Sequence, residues 1–68
     1  MFIISWENTY SKETGFVGDI DKKERHFVNT PDKKNAKLFP NKGLATIAVK
    51  QLVNFGEAEN NNFAIVSV

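Results

Sequence analysis

The apolar residues of this chain change their spacing along its length, recurring every second residue in the first and last segments and every third or fourth over residues 44–55. Two-residue alternation places side chains on opposite faces of a strand, and a period near 3.6 gathers them on one side of a helix. A chain with both patterns folds as a sheet with a helix laid on it. Its 68 residues allow one domain, residues 1–68, with one core.

So small a core limits the chemistry. The chain has no cysteine, so there is no disulfide to shrink the unfolded ensemble and no thiolate for zinc. The core must suffice alone or be completed by a partner, which makes a homodimer one expected solution. An empty enclosed pocket of about 300 Å³ would cost roughly 7 kcal/mol at about 24 cal/mol per Å³, comparable to a whole domain's stability. A deep catalytic cavity is therefore not expected, whereas surface clefts escape the argument because water fills them. Residues 1–7 show no basic leader or cleavage signal, and no stretch is long and apolar enough to span a membrane. The expectation is a complete small gene product of the cytoplasm.

Residues 2–6 read as a strand covered on both faces, with Phe2, Ile4 and Trp6 opposite Ile3 and Ser5. A second strand is expected over residues 16–20, where Phe16 and Ile20 share a face with Gly18, itself a candidate for a bulge or a close approach. A third follows over residues 25–29, after the turn Asp21-Lys22-Lys23-Glu24. Thr30-Pro31-Asp32 has the form of a helix start, with Thr30 as cap and Pro31 in the first turn, but the lysine-rich run behind it supports only a turn or two. Asn41 is a good N-cap for a helix from residue 42 to about 54, with Leu44, Ile47, Ala48, Leu52 and Phe55 as its apolar stripe and Gly56 as its left-handed terminator. Residues 63–68 close the chain as a strand. The predicted fold is α+β in the order β-β-β-α-β, one helix on a mostly antiparallel four-stranded sheet, with first and last strands adjacent and neither at an edge. Expected in or near the core are Ile4, Trp6, Phe16, Ile20, Phe27, Phe39, Leu44, Ile47, Ala48, Leu52, Phe63, Ile65 and Val66.

The inventory of reactive groups is sparse. His26 is the only histidine, near Glu24 at what reads as an exposed strand end, and is taken as a solvated side chain in preference to a general base. Asp19 and Asp21, with Glu24 nearby, bring carboxylates together, but the glycine and twelfth-position acid of a calcium loop are missing, so a hairpin flanked by solubilising charges is favoured. There is no phosphate-cradling glycine loop, nucleophile elbow or His-x-x-x-His pair. No enzyme, cofactor or metal is expected.

Charge provides the functional lean. Residues 22–50 hold eight basic and two acidic side chains, a net of +6, against −3 for residues 1–21 and −2 for residues 51–68. Lys22, Lys23 and Arg25 in the second hairpin and Lys33, Lys34 and Lys37 in the next connection form a basic belt suited to an acidic protein or to phosphates. Much of it also serves simply to keep loops solvated. Tyr10, an aromatic in a polar loop, has no internal task and is a candidate anchor for a partner.

The apolar start Phe2-Ile3-Ile4, the run Gly15-Phe16-Val17-Gly18-Asp19, the segment Asn35-Ala36-Lys37-Leu38-Phe39 and the closing Phe63-Ala64-Ile65-Val66 together resemble small accessory proteins encoded by tailed phages and prophages of bacteria. The resemblance implies a context in which such proteins bind and redirect a host or defence protein. The expectation is a non-enzymatic interaction module, a modulator or inhibitor acting in the host cytoplasm. It would bind through Tyr10, Lys22, Lys23, Arg25, Lys33, Lys34 and Lys37. A nucleic-acid-binding module using the same belt of residues 22–50 is the alternative.

Overall fold

Alternating apolar residues form strands, and the helical recurrence forms the single long helix. The computed structural model describes residues 1–68. Its elements are β1 (Phe2–Asn8), β2 (Thr14–Asp21), β3 (His26–Thr30), α1 (Lys42–Asn54) and β4 (Asn61–Ser67), with 3-10 turns at Lys33–Asn35 and Glu57–Glu59. The strands make one antiparallel sheet in the order β3-β2-β1-β4. The α+β architecture and the pairing of last strand with first are as expected. One expectation is corrected: β4 is an edge strand. Its apolar residues on both faces do not require a neighbour on both sides, because α1 lies over β1 and β4 and covers Phe63 and Ile65 only in part, leaving both half-buried.

The pairing of β2 with β3 shifts between Val17 and Asp19, so Gly18 marks the bulge its sequence position suggested. The extra residue slips the alternation by one. Val17 and Ile20 consequently join the helix-side core, whereas Phe16 turns to the opposite face and stays half-buried there, contrary to the simple two-residue reading. Beyond the Ser5–Phe16 pair the two strands part, and the chain after the first 3-10 turn enters the gap. Lys37 N donates to Val17 O at 2.9 Å, and Phe39 exchanges backbone bonds with Phe2 at 2.8 and 2.9 Å. This wedge buries Ala36 and Phe39. Asp32, not Thr30, caps its 3-10 turn by accepting from Lys34 N, while Thr30 Oγ1 accepts from Asp32 N. A single short turn results because no apolar face exists to hold more.

The helix begins where Asn41 Oδ1 accepts from Leu44 N at 2.9 Å and ends at Gly56, whose φ of 87° suits a residue without Cβ. Asn41→Ala leaves that N–H without its partner and is expected to cost about 1 kcal/mol in urea denaturation. The buried face is Ala45, Ala48 and Leu52, flanked by Val49 and Phe55. Leu44 and Ile47 are 44% and 54% exposed, so their expected place in the core is corrected. Apolar residues at 44, 45, 47, 48, 49, 52, 53 and 55 cover more of the helix than one sheet can. The two alanines settle the orientation, since their short side chains let the backbone approach the sheet.

The largest buried cluster consists of Ile4, Val17, Phe39, Ala45, Ala48 and Leu52, with Ile3 and Ala36 buried outside it. At one end of it the Trp6 indole lies flat against Gly15, where a Cβ would come within 2.8 Å of the ring. Trp6 and Phe27 have ring centroids 6.1 Å apart, and Phe27 meets Phe63 edge-on at 5.5 Å. Phe27 and Phe63 belong to the two outermost strands, which in a flat sheet would lie about 14 Å apart. The sheet therefore curls around its aromatic end.

Candidate functional site

The helix rests on β1 and β4, so its flank toward β2 is left open. Between α1 and β2 runs an open groove of about 280 Å³ floored by Ile20, Phe39 and Ala48, with Leu44, Ile47 and Gln51 along the helix side and Lys22 and Lys37 on the opposite rim. Leu44 and Ile47 are held in water by the register of the helix, not by any polar character of their own. Lys22 and Lys37 are fifteen residues apart in sequence and meet because the segment carrying Lys37 is pinned to β2 through Val17. The Lys37 ammonium lies 3.6 Å from Asp19 Oδ1, an exposed pair that fixes its direction more than it stabilises the fold. An apolar trough with a cationic rim is chemically suited to a segment that offers aliphatic side chains on one face and carboxylates beside them.

Arg25 lies in the same β2–β3 turn as Lys22 and reaches α1 without lining the groove. It takes a left-handed conformation at φ 59°, donates from Nη2 to Asn54 O at 2.9 Å, and sets its guanidinium 5.1 Å from the centre of the Phe55 ring. One of the helix's unsatisfied terminal carbonyls thus gains a charged donor, and the hairpin tip is fastened to the helix. Arg25 accordingly holds the groove's second wall in place. Lys23 shares that turn, and Lys33 and Lys34 sit on the 3-10 turn, with Lys34 3.7 Å from Asp32; none of these three lines the groove. Tyr10, 79% exposed, stands in the β1–β2 turn, at the opposite end of β2 from the Lys22 turn. Its loop is organised by Asn8 Oδ1, which accepts from Tyr10 N and Ser11 N at 2.9 Å. The structure therefore unites Lys22 and Lys37, places Arg25 and Lys23 next to them, and leaves Tyr10 apart.

The carboxylates singled out by sequence have local backbone tasks. Asp21 Oδ1 accepts from Lys23 N and Glu24 N, and Asp19 Oδ1 accepts from Ile20 N at 2.8 Å. No three side chains among His, Asp and Glu are grouped to hold a metal ion. His26 is exposed, with Nδ1 3.3 Å from Phe27 O. A second hollow, about 360 Å³, lies across the sheet face that α1 leaves bare, lined by Ser5, Glu7, Thr14, Phe16, Pro31 and the β4 residues Asn62 and Ala64. It is the larger of the two, but Glu7 is its only ionisable side chain, and it offers a partner little beyond shape.

The residues missed by sequence reasoning are Leu44 and Ile47. The signal was present in the excess width of the apolar arc and in the two alanines within it, which mark the side of closest approach. No helix is long and apolar enough to cross a membrane. The fold defines the class as a small α+β domain with one helix on an antiparallel four-stranded sheet. No protein family, curated protein or solved structure matches the chain.

Proposed function

We propose that this chain is a non-enzymatic protein-interaction module that docks an acidic, amphipathic segment of another protein in the groove between α1 and β2. The observation that carries the reading is the pairing of two water-exposed aliphatic side chains, Leu44 and Ile47, with the Lys22 and Lys37 ammonium groups across one trough. Burying Leu44 and Ile47 against a partner supplies a hydrophobic driving force, partly offset by the freedom lost on association, and the lysines select for carboxylates and speed encounter. Phosphates alone would use the lysines and leave the apolar floor wet, which favours a protein over a nucleic acid. The setting is the cytoplasm of a bacterium, and the partner a host or defence protein whose activity is modulated or inhibited by docking. That setting rests on the resemblance to phage and prophage accessory proteins and remains a separate part of the proposal.

The test is differential capture from bacterial lysate. Proteins retained by the native chain are expected to be lost from Ile47→Lys and weakened at least tenfold by Lys22→Glu combined with Lys37→Glu, a difference of about 1.4 kcal/mol or more. Retention that is indifferent to all three substitutions contradicts the groove. Binding to DNA or RNA at low salt that falls steeply as salt is added, and that survives Ile47→Lys, replaces this reading with the nucleic-acid one.

A further inference from the structure

We infer that β4 is a self-pairing edge, and that two copies of the chain join through it into one continuous eight-stranded antiparallel sheet. The surface is separate from the groove, and the inference goes beyond the proposed function. Along the β1–β4 ladder, Thr9 N donates to Asn60 O and Val68 N to Met1 O. Bonded pairs alternate in an antiparallel ladder, so the even-numbered residues of β4 turn their backbone groups toward β1. Ser5 Oγ reaching Ala64 O agrees with this. Asn61, Phe63, Ile65 and Ser67 must then point their N–H and C=O groups outward, where the sheet has no further strand.

Exposed edges are normally protected by charge, proline, brevity or a bulge. The other edge of this sheet has such protection: β3 is five residues long, is flanked by Arg25 and Pro31, and pairs through a bulge. β4 has none. Its seven residues, Asn61 to Ser67, contain no charge and no proline and pair with β1 without a register shift. An uncharged strand is also compatible with itself, because no like charges are brought face to face. A twofold axis at Ala64 sets Phe63 opposite Ile65 of the second copy, and Asn61 opposite Ser67, so every outward donor and acceptor of the four residues is matched. Phe63 and Ile65, half-buried in one copy, would continue the helix-side core across the junction, and Ala64 would meet its own counterpart on the bare face. A chain with only nine buried residues and no disulfide gains most from such an extension.

The full chain should be examined by sedimentation equilibrium and by amide exchange in NMR over a range of concentrations. The expected result is a species of twice 7.7 kDa at high concentration. The Phe63 and Ile65 amides should gain protection in step with it, and Ala64→Lys, which sets two ammonium groups together on the axis at an exposed position, should raise the dissociation constant at least about tenfold. A mass of 7.7 kDa at every concentration overturns the inference. So does a dimer in which the Phe63 and Ile65 amides exchange freely. If Ala64→Lys fails to fold, the exchange pattern of the native chain decides alone.

Discussion

Leu52→Ala is expected to lower the unfolding free energy by about 3 kcal/mol, the middle of the range for emptying a fully enclosed leucine site. Leu52 is completely buried, sits on the helix face that meets the sheet, and belongs to a cluster of only six buried residues. The site has few ways to collapse. Ala45 and Ala48 have no side chain to swing into the void, and Ile4 and Val17 are held by the sheet backbone. Against a domain stability near 5 kcal/mol, at the low end for folded proteins, that loss leaves a chain with a measurable unfolded fraction at room temperature. Urea titration followed by far-ultraviolet circular dichroism reads it directly; a shift below 1 kcal/mol would mean that the helix does not rest on this residue.

Gly15→Ala is the second large effect, and its mechanism is the opposite one. The added Cβ would meet three atoms of the Trp6 indole at 2.8 to 2.9 Å, closer than such contacts occur, so the ring must move. Trp6 in turn packs against Phe27, and Phe27 against Phe63, so the displacement passes along the aromatic row that curls β3 toward β4. Overpacking of this kind costs about 1 to 3 kcal/mol, and each disturbed aromatic pair forfeits about 0.5 to 1.5 kcal/mol more. The expected outcome is a loss of about 3 kcal/mol with a changed tryptophan emission spectrum. An unchanged spectrum with native stability would show that the indole is free to relocate.

Local chemistry was legible in the sequence, and long-range geometry was not. Asn41 as cap, Gly56 as terminator and Gly18 as bulge each depend on interactions within a few residues, and each is where the pattern put it. The consequence of the bulge escaped the same reading, since whether Val17 or Phe16 turns inward depends on pairing with β3. The facing of α1 was likewise set from outside the helix. Spacing alone admits Leu44 and Ile47 to the core as readily as Ala45 and Val49, and only the closeness of the sheet chooses between them. That choice created the groove, so the groove could not be seen before the fold. The basic belt was visible as composition, but the meeting of Lys22 with Lys37 requires the wedge of residues 37–39 between β1 and β2, a contact no periodicity encodes. The edge position of β4 escaped because two apolar faces normally signal a strand with neighbours on both sides.

The proposed docking groove requires that Leu44 and Ile47 stand outside the core. Its most direct test is the stability of the double substitution Leu44→Gln with Ile47→Gln, both good helix positions for glutamine, measured beside Leu52→Ala in the same denaturant. Loss of under about 1 kcal/mol, as expected of surface positions, is the predicted result. A loss equal to that of Leu52→Ala would place both side chains in the core and remove the groove.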